Sequence, residues 1–525
     1  MKKMKKLLSL VLSVAMIVAM GVTVFADEAP TYTLTIYNEK SGHTYEAYQV
    51  FAGDLSKNTL SNVQWGTGVN GEALLTELKT NDNLKSDFEN CTDAKSVAEK
   101  LAKFDNNSTK LDAFAKIVAN HINETATGTS NYNESAKKYT ISGLAAGYYF
   151  VKDATTVSGT DAQTKFIVQL LGNKEVRPKS SVPTVEKKVK ETNDTTGSVT
   201  YWQDAADYDI GDNVPFQLTG TMPSTLADYS TYSYTFTDTL SAGLTRNDDV
   251  KVYLVNKEED RREITSSFTI SNVDEEKNTF TVSCTNVNGI KGVTAASKIV
   301  VEYTARLNEK AVIGDTGNPN KVDLTFSNNP NGDGTGKTPE DQVIVFTYKL
   351  VANKVDKDGH DLEGAGFTLY KFDKKANKYV AVGEENKGTD ENPQTTFEFN
   401  RLDAGKYKLV ETTVPAGYNK ADDIEFTVEA TYEATLDENG VKSTDAPNLT
   451  GLIIKDATGK KISEGEGAVF TVNLTNGSAS TDVVNVSGSI LPSTGGIGTT
   501  IFYVIGGILM IGAGVLLVSK KRTDK

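Results

Sequence analysis

KLVANKVDKDGHDLEGAGFTLY, Lys349 to Tyr370, opens with strict alternation, and period two puts Leu350, Ala352 and Lys354 on one face of a strand. A lysine therefore shares the face that two apolar residues mark as inward. The same count through KYKLVETTVPAGY, Lys406 to Tyr418, aligns Tyr407, Leu409 and Glu411, and in TDVVNVSG, Thr481 to Gly488, it aligns Val483 with Asn485. Three polar groups are thus directed into one β core, where each is costly alone. An ion pair between Lys354 and Glu411 is one solution. The other is covalent: desolvation lowers the lysine pKa and raises that of the carboxyl group, so a neutral amine can sit beside a protonated acid. The Lys354 amine would attack the side-chain amide carbon of Asn485. Glu411 would polarise the carbonyl and shuttle protons, and ammonia would leave an isopeptide bond.

The runs NKVD with LEGAGFTLY and LVETTVPAGY resemble the collagen-adhesin B-type (CnaB-like) domain, over most of residues 348–490. The resemblance implies the same lysine, acid and asparagine roles for Lys354, Glu411 and Asn485, with Glu411 as the catalytic acid.

A second set lies upstream. In PTVEKKVK, Val185, Lys187 and Val189 share a face; in YSYTFTDTL, Tyr234, Phe236, Asp238 and Leu240 do; in GNPNKVDLTF, Asn320, Val322, Leu324 and Phe326 do. Pro319 should interrupt pairing beyond it, which ranks Asn320 above Asn318. Lys188 is the rival lysine, but it faces solvent in this register. This region, residues 183–347, has abundant Tyr/Thr/Val alternation and no good helix, and reads as an all-β sandwich. It resembles the middle domain of Gram-positive backbone pilins, which implies a bond between Lys187 and Asn320 promoted by Asp238.

Residues 27–182 read as α+β. The strand-like YTLTIYN and KFIVQLL enclose GEALLTELK and AKSVAEKLAKF…LDAFAKIVANHI, whose apolar residues recur at helical spacing. GLAAGYYFVKD, Gly143 to Asp153, repeats RLDAGKYKLVE, Arg401 to Glu411, so Asp153 aligns with Glu411 and related folds are expected. Here, however, Asn38 stands where the lysine is needed and the last strand has no asparagine. Asp153 is then a carboxylate without reactive partners, and no isopeptide bond is expected. VRPKSSVPT, Val176 to Thr184, reads as a linker, and SNNPNGDGTGKTPED, Ser327 to Asp341, as an exposed loop or linker.

The chain ends bound the compartment. Met1 to Lys6 is basic, Leu7 to Val24 largely apolar, and Val24-Phe25-Ala26 offers a cleavage site, so residues 1–26 read as a signal peptide. At the other end Ile501 to Val518 is long enough to span a bilayer as a helix, and Lys520, Lys521 and Arg522 should stay inside. Between the last domain and this span stands Leu491-Pro492-Ser493-Thr494-Gly495. As structure it is a flexible linker; as an ordered set with span and basic tail, residues 491–525 resemble the cell-wall sorting signal of Gram-positive surface proteins. The resemblance implies that a sortase cuts between Thr494 and Gly495 and passes the Thr494 acyl group to an amine.

A net charge of −14 supplies no basic surface for a phosphate backbone, which disfavours nucleic acid. The two cysteines, Cys91 and Cys284, fall in different domains and make no disulfide framework. His43, His121 and His360 are scattered, without metal-ligand spacing, and are expected in solvated positions. No cofactor or external-substrate enzyme motif appears.

Taken together, the expectation is a mainly β chain of three tandem Ig-like or CnaB-like domains, the first with helical insertions. It resembles a backbone pilin of a sortase-assembled pilus. That implies partners in pilus and housekeeping sortases, other copies of itself, peptidoglycan and ancillary pilins. Lys179, in VRPKSS, resembles the acceptor lysine of the pilin motif, with Arg177 in place of the usual tyrosine and Lys174 as its competitor. A monomeric wall-anchored adhesin, or a tip or basal pilin, is the alternative.

Overall fold

The computed structural model describes residues 30–488, except 57–58, 105–108, 179–180, 258–259, 390, 433–446 and 466. The expected signal peptide 1–26, Lys179, Leu491 to Gly495 and the expected span 501–518 lie outside the described residues. Among the described residues no helix is long and apolar enough to cross a membrane. Strands dominate, as the alternating pattern requires, and they gather into two compact units. One holds the chain up to Thr192, Ser198–Thr347 and Thr431–Thr450. The other holds Asn193–Gly197, Tyr348–Ala430 and the chain from Gly451.

In the first domain the helical spacing is realised at Gly71–Thr80, Ala94–Leu101 and Thr109–Asn120. Asn70 and Asp93 accept from the free N–H groups of Ala73 and Ser96, and so fix two of the starts. The helices bury Leu74, Leu78, Val97, Leu101 and Phe114 with Phe51 and Phe150 of the strands Tyr45–Ser56 and Gly147–Asp153. A second sheet carries Tyr32–Ile36, which pairs in parallel with Lys174–Val176.

The middle domain is a sandwich. One sheet runs Val185–Val189, Asn213–Thr221, Lys298–Leu307, Lys251–Lys257; the facing one includes Asp341–Phe346, Asn318–Ser327, Tyr234–Leu240 and Thr279–Cys284. Among the described residues no α-helix interrupts it; only short 3₁₀ turns do. Pro319 does not stop the strand as expected. Asn318–Ser327 keeps pairing to Asp341–Phe346 through Pro319, and only the ladder with Tyr234–Leu240 ends at Asn320. An edge of the ladder, not the strand, absorbs the missing N–H.

Part of the stretch Ser327–Asp341 is likewise not an exposed linker. Asn328 is buried and donates to the carbonyl of Val157, Asn331 donates to that of Asp153, and Lys165 donates to Pro330 at 2.7 Å. The backbone N–H of Lys337 reaches Gly159. The loop is polar because it satisfies another loop's carbonyls.

In the third domain the first strand, Tyr348–Asp356, lies parallel and adjacent to the last, Ser478–Asn485, with Lys354 opposite Val483. The facing sheet carries Gly366–Asp373, Gly405–Thr413 and Ile424–Tyr432. The sequence repeat is structural. Gly147–Asp153 and Gly405–Thr413 occupy equivalent central strands, and Tyr149 and Tyr407 donate to the carbonyls of Ala145 and Asp403, four residues back in both cases. Gly147 is needed for close approach rather than for a turn: a Cβ there would meet the Phe51 carbonyl oxygen at 2.5 Å.

Candidate functional site: two buried lysine, acid and asparagine sets

Lys187 and Asn320 are 0% exposed and Asp238 is 1% exposed, so water reaches none of them. Lys187 projects from one sheet; Asp238 and Asn320 project from neighbouring strands of the sheet facing it. Lysine and asparagine therefore do not lie on neighbouring strands here, as first-to-last strand pairing would have it. The set bridges the sandwich. The Lys187 amine donates to Asp238 Oδ2, and Asp341 fixes the backbone by accepting from the Lys187 N–H at 2.6 Å. Burial pushes the Lys187 amine below its ordinary range and the Asp238 carboxyl above its own. Both shifts favour the neutral pair, the state in which the amine has a free lone pair.

Tyr303 completes this set, and alternation alone did not single it out. Its hydroxyl accepts from Asn320 Nδ2 at 2.7 Å and from Lys187 Nζ at 3.1 Å, and donates to Asp238 Oδ1 at 3.0 Å. Asn318, the rejected asparagine, is also buried, but its amide is consumed by Val312 and Val345 backbone groups. Lys188 departs from expectation. It is partly buried outside the core, held by Asp204 at 2.5 Å, and does not face open solvent.

In the third domain Lys354, Glu411 and Asn485 are again buried. Asn485 Nδ2 donates to Glu411 Oε1 at 2.8 Å, and the Ala421 N–H donates to Oε2 at 2.7 Å. The Lys354 amine donates to the carbonyls of Val483 at 2.6 Å and Val355 at 3.2 Å rather than to Glu411. Burial lowers its pKa, with Glu411 opposing. The carbonyl oxygens of both asparagines, Asn320 Oδ1 and Asn485 Oδ1, are buried and without a hydrogen-bond partner. An orphaned buried acceptor is costly, and Glu411 bonds to the Asn485 nitrogen rather than to the carbonyl it was expected to polarise.

The first domain differs. Asp153 is buried, as its alignment with Glu411 implies, but its partner is His43, whose Nδ1 lies 2.6 Å from Asp153 Oδ2. His43 Nε2 sits 3.2 Å from Asp161. His43 is thus not solvated; it sits between two carboxylates, and the hydrogen bond to Asp153 raises its pKa against burial. Asn38 donates to Tyr45 beside it. His121 is also partly buried, against Glu77 at 2.5 Å, and only His360 is exposed as expected. Cys91 and Cys284 are buried free thiols.

Residues 210–330 match the Gram-positive pilin backbone subunit 2, Cna-B-like domain; residues 348–440 match the prealbumin-like fold domain SpaA; residues 486–525 match the LPXTG cell wall anchor motif. The chain is 28% identical over 403 residues to the trypsin-resistant surface T6 protein of Streptococcus pyogenes serotype M6, across 66% of this chain and 70% of that one. It shares its fold with the solved T6 backbone pilin of that serotype, at 19% identity and a TM-score of 0.52, covering 89% of this chain and 100% of that one. Pilin domains joined to a wall-anchor motif define a Gram-positive surface protein held on the cell wall. The pilin-backbone and prealbumin-like domains, with the anchor motif, support a major pilus subunit anchored to the cell wall. The matched domains are those of a pilin structural subunit rather than of an enzyme family, and with the anchor motif they imply a sortase substrate that polymerises with other pilins.

Proposed function

We propose that the chain builds the shaft of the pilus through three kinds of amide bond. Two are internal: Lys187 to Asn320 promoted by Asp238, and Lys354 to Asn485 promoted by Glu411. The third joins subunits. A sortase cuts between Thr494 and Gly495 and transfers the Thr494 acyl group to Lys179 of another copy, and the last subunit passes to a peptidoglycan amine. Domain limits at 27–182, 183–347 and 348–490 go with this reading.

The observation that carries it is the occurrence, twice, of a buried lysine, a buried acid and an asparagine whose carbonyl oxygen is unpartnered. An ion pair alone would need no asparagine, and in the third domain the amine is bonded to carbonyls instead of to the acid. The description of the T6 relative as trypsin-resistant is in keeping with covalently closed domains. Intact mass is the test. The mature protein should be lighter than its sequence by two molecules of ammonia, and a mass equal to the sequence would refute both internal bonds.

A further inference from the structure

We infer that Tyr303 is a catalytic residue of the middle-domain crosslink, the carrier that delivers a proton to the departing ammonia. The inference rests on the Lys187–Asn320 bond proposed above and adds a residue that the lysine, acid and asparagine roles leave out. Its basis is position. The Tyr303 oxygen lies 2.7 Å from Asn320 Nδ2, the nitrogen that must leave, and 3.1 Å from Lys187 Nζ, the nitrogen that must attack. Asp238 is bonded to the amine through one oxygen and to the Tyr303 hydroxyl through the other. The hydroxyl is held there by its ring, which stacks on Phe216 at 5.4 Å and meets Phe280 edge-on at 5.2 Å.

The two crosslink sites differ at this point. In the third domain Glu411 touches the leaving nitrogen directly at 2.8 Å, so acid and leaving group need no intermediary. In the middle domain the leaving nitrogen is bonded to the tyrosine hydroxyl, and the hydroxyl to the shorter acid. The tyrosine spans the gap.

The step balances. Starting from neutral Lys187 and protonated Asp238, the Lys187 nitrogen bonds to Asn320 Cγ. Asp238 passes its proton from Oδ1 to the Tyr303 oxygen as Tyr303 gives its hydroxyl proton to Nδ2 and the Cγ–Nδ2 bond breaks, and Asp238 Oδ2 takes the proton that the Lys187 nitrogen loses. Ammonia leaves, and Asp238 and Tyr303 end as they began.

The experiment follows both crosslinked peptide pairs over time after cell-free synthesis of the full chain. Tyr303→Phe should slow the Lys187–Asn320 pair by about 100-fold or more, the scale of a lost general acid, while the Lys354–Asn485 pair appears at the wild-type rate. Formation of the Lys187–Asn320 pair at the wild-type rate in Tyr303→Phe overturns the inference. Protease resistance of the middle domain separates chemistry from folding, with uncrosslinked Lys187→Ala as reference. Equal resistance in Tyr303→Phe supports the proton carrier, and lower resistance assigns the tyrosine to packing and overturns it. If the wild-type chain itself yields no Lys187–Asn320 pair, the crosslink reading fails first, and the role of Tyr303 with it.

Discussion

If Asp238 and Glu411 promote the two proposed internal bonds, each acid should control one of them. Measured against its own sequence mass, each of Asp238→Ala and Glu411→Ala should lack one of the two ammonia losses, and the double variant both; a variant that keeps the full wild-type ammonia loss would show its acid to be dispensable. His43 makes a separate prediction. Its folded pKa is raised above the ordinary 6.5 by Asp153, so the protonated form is the one the fold stabilises. That stability is fully present below the ordinary value and is lost as pH rises through the elevated folded value. The groups facing the ring are Asp153, Asp161, Tyr45 and Tyr139, with Lys40 on the far side of Asp161. Thermal melts over roughly pH 5 to 9 should show the first domain weakening toward alkali, and His43→Asn should flatten that slope. The polar members of the crosslink sets were legible because charge in an apolar phase is conspicuous. Tyr303 was not, because a tyrosine in phase with Val301 and Ala305 looks like any core aromatic. His43 lies ahead of its strand, where no periodicity assigns it a side.

Strands and loops separate what pattern can and cannot deliver. Helical spacing located three helices in the first domain, and the repeat of Gly147–Asp153 in Gly405–Thr413 foretold equivalent strands. What alternation cannot supply is which strands become neighbours: it gives Lys187 and Asn320 an inward side but not opposite sheets. Asn/Gly composition likewise marks Ser327–Asp341 as loop without saying that Asn328 and Asn331 bond to the first domain. At this scale each proposed crosslink would close a loop of more than one hundred residues. By analogy with disulfides it is worth about 4–5 kcal/mol. Asn485→Ala should therefore lower the melting temperature of the third domain by roughly 10–20 °C in calorimetry, with the middle-domain transition unmoved.

For the whole chain, the acceptor and the donor must sit on different copies, and a head-to-tail relation that does not close yields a fibre. Lys179→Ala, expressed with its sortase, should abolish the high-mass ladder on denaturing gels while leaving monomers fixed to the wall. A persistent ladder would move the acceptor elsewhere, Lys174 first. A tip or basal role predicts no ladder dependent on the chain's own lysine. The third domain adds a property of the polymer that concerns cutting rather than pulling. Its first and last strands run side by side in the same direction. A bond from Lys354 to Asn485 therefore joins the way in to the way out and makes the residues between them a ring. A single nick anywhere from residue 355 to 484 opens the ring without parting the fibre. A protease could then score every subunit once in this domain and the shaft would keep its length under the electron microscope, although the same digest run after Lys354→Ala would shorten it.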